Sequence, residues 1–175
     1  MHSVELIPVE FNLPNLLLDL AKKISSIIAA DVFVEQLSKD ISKYYNHERG
    51  QYDASKILKY IEALDKANYS LVITSVDLYI PIFTYVFGLA KVNGNAAIIS
   101  THRLGNEFYG LPANTEILKE RIIKEAVHEF GHLIGLRHCA NFSCVMSSST
   151  VADEIDIKSN SFCASCNLIV SKNET

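Results

Sequence analysis

The chain has 175 residues, 49% of them apolar and 21% charged, and a net charge of −4. This is the composition of an ordinary globular protein with room for one hydrophobic core, and the acidic balance argues against a nucleic-acid footprint. The longest apolar stretch, Ile80 to Ala90, is broken by Pro81, Thr84 and Gly88, so no membrane span is expected.

Met1-His2-Ser3-Val4-Glu5-Leu6 has no basic region leading into an apolar run, so no signal peptide is expected and a cytoplasmic location is. Residues 4–10 read as a first strand, with Pro8 marking its end or an edge. Asn12 or Asn15 is placed to cap a helix with Pro14 near its first turn. That helix runs to about Ala30 behind a stripe of Leu16, Leu17, Leu20, Ile24, Ile27 and Ile28. Val32-Phe33-Val34 is a second strand. Residues 38–52 are polar and aromatic and read as a long connection, with Tyr44, Tyr45 and Tyr52 as core candidates. Asp53 caps a second helix through about Lys66, carrying Ile57, Leu58, Ile61 and Leu64. Leu71-Val72-Ile73-Thr74 shows no polar alternation, as a central strand covered on both faces would. Thr84 to Ala90 and Ala96 to Ser100 read as two more strands about a turn at Asn93-Gly94-Asn95, and the first is a candidate edge for pairing with an extended peptide. A third helix begins near Asn114-Thr115 and runs to a stop at Gly135. Strand–helix–strand–helix–strand, then a hairpin and a helix, describes an α/β domain with a mixed sheet.

The third helix carries the chemistry. His128-Glu129-Phe130-Gly131-His132 places two imidazoles one turn apart on one face, where both can bind one metal ion. Glu129 follows the first ligand and can reach a water on that ion, the arrangement of a hydrolytic zinc site. Gly135 can adopt a backbone conformation closed to other residues, so the chain can turn back and deliver His138 to the same ion. The bland alternatives are core or surface histidines without metal and, for Glu129, a solvated carboxylate. His2, His47 and His102 read as surface or core residues. His102, after the fifth strand, has a chance of approaching the cleft.

Cys139, Cys144, Cys163 and Cys166 form C-x-x-x-x-C and C-x-x-C pairs, spacings compatible with a tetrahedral thiolate zinc. A closed four-sulfur site would be structural, tying the C-terminal tail to the end of the active-site helix. A redox pair at Cys163 and Cys166, or buried free thiols, are the competing readings.

These residues resemble the metzincin clan of zinc peptidases, which carry H-E-x-x-H-x-x-G-x-x-H and then a methionine in a tight turn beneath the metal. Met146, in Cys144-Val145-Met146-Ser147, stands where that methionine would; packing under the histidines is favoured over an ordinary core role. The cysteine directly after the third histidine, the one before the methionine and the later C-x-x-C are similar to the archaemetzincins. The resemblance implies a twisted mixed sheet under two helices, with an antiparallel edge strand bordering the cleft. It implies one metallopeptidase domain over residues 1–175, with sheet and active-site helix in 1–137 and a zinc-stapled segment in 138–175. It implies two zinc ions per chain, one catalytic on His128, His132 and His138 and one structural on the four cysteines. Peptides or partly unfolded proteins would be the substrates, with aminopeptidase-like action. The pattern sets no oligomeric state. Two departures from most metzincins stand out: Cys139 follows the third histidine, and Ser147-Ser148-Ser149 follow the methionine with no tyrosine to stabilise an oxyanion.

The leading expectation is a zinc peptidase whose water is activated by Glu129. The alternative keeps both metals but blocks the catalytic one, leaving a non-catalytic module that binds a partner. A nucleic-acid-binding zinc ribbon rests on the cysteines alone and is disfavoured by the charge.

Overall fold

The computed structural model describes residues 3–35, 39–64 and 69–173. In chain order they form β1 (Ser3–Pro8), α1 (Leu17–Ile28), β2 (Asp31–Val34), β3 (Tyr45–Asn46), β4 (Gln51–Asp53), α2 (Ala54–Leu64), β5 (Tyr69–Thr74), β6 (Leu78–Tyr79), β7 (Gly88–Ala90), β8 (Ala96–Ser100), α3 (Thr115–Leu133), α4 (Ala152–Asp156) and α5 (Ala164–Asn173). The main sheet has the order β2-β1-β5-β8-β7. Its strands run parallel except β7, which lies antiparallel to β8 at the edge.

Side chains alternate across this sheet and so feed two cores. Leu6, Leu71 and Ile99 face Leu20 and Ile24 of α1 and Val127 and Phe130 of α3. Their neighbours Ile7, Val72 and Ile98 face Ile57, Leu58 and Ile61 of α2. Both faces of β5 and β8 are therefore covered, which is why these strands show no polar alternation. Helices α1 and α3 thus share one face of the sheet, and α2 covers the other.

Local chemistry sets the element ends. Asp53 Oδ1 accepts from Lys56 N at 3.1 Å at the start of α2; the expected end of that helix at Lys66 lies outside the described residues. Asn114 Oδ1 accepts from Glu116 N and Ile117 N, both at 3.1 Å, and caps α3. The expected asparagine cap on α1 is absent. A 3-10 turn at Pro14–Leu16 leads into that helix with no side-chain cap, and Asn12 instead donates its N–H to Ser75 Oγ at 3.0 Å.

Two segments differ from expectation. The stretch read as a connection holds the hairpin β3–β4, with Tyr45 and Tyr52 rings 5.0 Å apart across it, and β4 continues into a small sheet with β6. Tyr44 and Tyr52 pack against the α2 core, whereas Tyr45 is exposed. Of Thr84 to Ala90, only Gly88–Ala90 joins the sheet. Arg49 Nη2 donates to the Phe83 and Thr84 carbonyls at 3.0 and 3.2 Å, and Gln51 Nε2 to Thr84 O at 3.0 Å. Those side chains take the acceptors that a strand ladder would need.

From Arg121 to Leu133 every residue of α3 is buried. Arg121 grips Asp156 through Nε–Oδ1 and Nη2–Oδ2 bonds of 2.8 and 2.6 Å. Lys124 Nζ donates to the Ile155 and Asp156 carbonyls at 3.1 and 3.0 Å, satisfying the open end of α4. α4 is thus fastened to α3 one turn ahead of the histidines. Among the described residues no helix is long and apolar enough to cross a membrane.

Candidate active site

The end of α3 builds the site. Leu136 N donates to Gly131 O at 2.8 Å and Gly135 N to His132 O at 3.0 Å, a Schellman pair around Gly135 at φ +95°. A side chain at that φ would be strained, so glycine permits the stop. The reversal also aims Leu136 O back at the helix, where it accepts from His132 Nδ1 at 2.8 Å. His128 Nδ1 likewise donates to Val145 O at 2.8 Å. A carbonyl can only accept, so each ring carries its proton on Nδ1 and its lone pair on Nε2.

The ring centroids of His128, His132 and His138 lie 4.8, 5.3 and 5.1 Å apart, and one nitrogen from each falls within 4.8 Å of the others. Burial pushes His128 down to about 3, and it lowers His132 and His138 too. All three rings are neutral near pH 7, as metal binding requires. Neutral nitrogen donors, two fixed by backbone acceptors and converging on one cavity, fit a zinc ion.

Glu129 lies 5% exposed beside them. Burial pushes its carboxyl well above the usual range; Glu125 adds to the rise and Lys158 opposes it. A cavity of about 460 Å³ borders all three histidines, Glu129, the edge segment from Thr84 to Ala90, and Ser148 to Thr150. Gly88 on β7 is what admits the glutamate: a Cβ there would meet Glu129 Oε1 at 2.5 Å and Cγ at 2.8 Å. Gly131 does the same below, where a Cβ would strike Met146 Sδ and come within 3.0 Å of Phe162. Met146 is fully buried in a tight turn closed by Ser147 N to Cys144 O at 2.9 Å. Its Sδ and Cε lie against Gly131 of the histidine helix.

Cys139, Cys144, Cys163 and Cys166 bring their sulfurs within 4.8 Å of one another, unlinked. The Cys139–Cys163 and Cys144–Cys166 separations are both 3.8 Å. That is far longer than a disulfide and equals the edge of a tetrahedron with arms of about 2.3 Å, the zinc–sulfur distance. Cys139 N also donates to Met146 O at 2.9 Å, joining the cysteine cluster to the methionine turn.

His47 and His102 stand apart from the site, edge-on to Tyr45 and Phe108 at 4.9 and 5.4 Å; His2 lies outside the described residues. A tyrosine does line the cavity: Tyr85, whose hydroxyl donates to Thr150 O and straps the edge segment to the chain beyond the methionine. Sequence reasoning also missed Gly88, Glu125 and Lys158. Glu125 alone had a signal, standing one turn before Glu129 on the same helix.

A family model described as peptidase family M54 matches residues 15–172. The archaemetzincin of Methanocaldococcus jannaschii is 44% identical over 128 residues, which is 73% of this chain and 70% of that protein. A zinc-dependent peptidase from Methanocorpusculum labreanum superposes with a TM-score of 0.88 at 31% identity, covering 95% of this chain and 99% of the other. The archaemetzincin of Archaeoglobus fulgidus, solved in complex with malonate, gives 0.83 at 36% identity with the same coverage, 95% and 99%.

Proposed function

We propose, from the premise that this chain belongs to peptidase family M54 and is a zinc metallopeptidase, that His128, His132 and His138 hold its catalytic zinc and that Glu129 is its general base. The observation that carries this reading is the convergence of three neutral imidazoles on a cavity that also holds a buried glutamate. Bound there, zinc would polarise the scissile carbonyl and bring the pKa of a coordinated water to about 7. Glu129 accepts the proton of the attacking water on a carboxylate oxygen and passes it to the departing amine. The Nδ1–H bonds to Val145 O and Leu136 O keep the His128 and His132 rings from swinging out of position. The outer edge of β7, which borders the cavity, pairs with an extended peptide or an unfolded stretch of protein.

The four cysteines hold a second, structural zinc, giving two ions per chain. One domain results, with residues 1–137 carrying the sheet and active-site helix and 138–175 a zinc-stapled subdomain in which Gly135 and Met146 support the histidines. Four unlinked thiols suit a reducing, cytoplasmic compartment.

The test is a peptide library cleaved by zinc-loaded protein and read by mass spectrometry, beside Glu129→Gln with its metal content measured. Wild-type cleavage that the variant loses by about a thousandfold or more, at equal zinc content, is the expected result. Equal activity of the metal-replete variant would remove Glu129 from the mechanism, and an inactive zinc-loaded wild type would favour the blocked, partner-binding alternative.

A further inference from the structure

One turn ahead of Glu129 on α3, Glu125 borders the same cavity. It is 5% exposed, and its Oε1 is buried with no hydrogen-bond partner. Lys158 faces it with Nζ 3.9 Å from that oxygen and its side chain 2% exposed. At this distance the charges attract without a hydrogen bond, whereas a lysine–carboxylate pair free to close reaches about 2.8 Å. Both partners stand on elements that are tied to one another. Glu125 sits inside a buried helix, and Lys158 follows α4, which Arg121 and Lys124 fasten to that helix. Ser149 Oγ is a further buried, unpartnered polar atom on the same cavity. A carboxylate, an ammonium and a hydroxyl thus border one cavity, and the carboxylate and hydroxyl each leave a buried oxygen without a hydrogen-bond partner.

We propose that Lys158, with the Ser149 hydroxyl, receives a carboxylate of the substrate beside the bond that is cut, so that the enzyme selects peptides by a negative charge near the scissile bond. This rests on the peptidase reading above and adds a substrate class to it. Lys158 supplies the ammonium and Ser149 a second donor, and both border the cavity that holds the histidines and Glu129. The sign follows from the charges present. Even with Glu125 and Glu129 both ionised, a doubly charged ion on neutral imidazoles outweighs their combined charge with Lys158, leaving the cavity positive by one, and a proton on either carboxylate raises that excess. An incoming carboxylate neutralises that excess, and an incoming ammonium or guanidinium adds to it. Glu125 then acts as a positioning residue, steadying the Lys158 ammonium from the side away from the substrate.

The carboxylate has two sources, an acidic side chain or the peptide's own C-terminus. The experiment measures binding of matched short peptides to zinc-loaded Glu129→Gln protein by calorimetry. One peptide is neutral (amidated, with Gln), one has its C-terminus free, and one has Glu in place of the internal Gln. A fourth carries Lys at that place. The expected result is that one carboxylate form binds about tenfold or more tighter than the neutral peptide, and which form wins identifies the source. In the same background, Lys158→Met brings that ratio to within about twofold of unity, while Lys158→Arg keeps most of it. Equal affinities, a ratio that survives Lys158→Met, or tightest binding of the Lys peptide would overturn the assignment; the last would give the subsite to Glu125. Should Lys158→Met fail to fold, the wild-type ratios and Lys158→Arg still decide. A carboxylate preference alongside a zinc-loaded wild type that cleaves no peptide would sink the peptidase reading and keep the carboxylate-binding subsite; wild-type cleavage without the preference would do the reverse.

Discussion

Replacing Gly88 by alanine tests how the sheet edge aims the Glu129 carboxylate. The new methyl carbon would lie 2.5, 2.8 and 2.9 Å from Glu129 Oε1, Cγ and Cδ. Ordinary carbon contacts need about 3.5 Å or more, so something must give by roughly 0.7 Å. The Cγ contact involves the stem of the glutamate, so rotating its carboxylate alone does not relieve the clash. The rest of Glu129 is enclosed by buried neighbours on α3. A misplacement of about 1 Å at a catalytic group costs around a hundredfold in rate, or about 2.7 kcal/mol. The overpacking itself costs about 1–3 kcal/mol of stability. The three atoms nearest that methyl all belong to Glu129 and none to a histidine, so zinc content should hold. The assay is the initial rate at saturating peptide for zinc-replete protein, with metal content and thermal melting in parallel. Adding Glu129→Gln closes a cycle: if the methyl acts through the glutamate, the double variant is no worse than Glu129→Gln alone. A kcat within about threefold of wild type, or fully additive losses, would refute the reasoning.

Further outcomes follow from the same geometry. Gly131→Ala drives a methyl into Met146 and should lower stability by about 1–3 kcal/mol, read as the denaturant midpoint; an unchanged midpoint would show that the methionine is free to move. Cys163→Ser should reduce zinc from two ions per chain to one or none and loosen the His138 loop, as measured by metal content and limited proteolysis; two zinc ions with native protection would count against the thiolate site. In metal-free protein the pH dependence has two opposing parts. His128, held at about 3 against its ordinary 6.5, takes up its proton more readily unfolded, so its share of stability is lost as pH falls from 6.5 toward 3, and His132 and His138 lean the same way. Glu125, raised from 4.5 to about 7, contributes stability below 4.5 that is lost as pH rises through 7, and Glu129 leans with it. Below 4.5 the Glu125 part no longer opposes it, and His128 loses about 1.4 kcal/mol per pH unit. Melting temperatures that keep rising toward pH 3 would contradict the burial of that ring.

The site's first layer was legible because it is local. The histidine spacing, Gly135 and Met146 all lie within 19 residues, and a helix followed by a reversal needs little more than residue types and periodicity to place. Central strands β5 and β8 were equally readable, since covering both faces leaves an unbroken apolar run. What sequence did not show depends on contacts between distant positions. Nothing in Gly88 points to a glutamate 41 residues on, and Lys158 carries no motif that pairs it with Glu125. The hairpin at Tyr45 to Asp53 was hidden because its strands are very short and one of its partners is β6, beyond α2. The shortened edge strand was hidden because Arg49 and Gln51 claim its carbonyls from more than 30 residues away.

The backbone N–H of Asn93, at the tip between β7 and β8, donates to the carbonyl of His132 at 3.0 Å. One jaw of the cleft is thereby riveted to a residue proposed to grip the metal. With Tyr85 clasping the opposite rim at Thr150, both sides of the mouth are tied to the body of the protein. A mouth so tied would suit a loose tail or a short peptide better than a well-folded protein. Selectivity of that kind would be a restraint set by the walls of the cleft themselves.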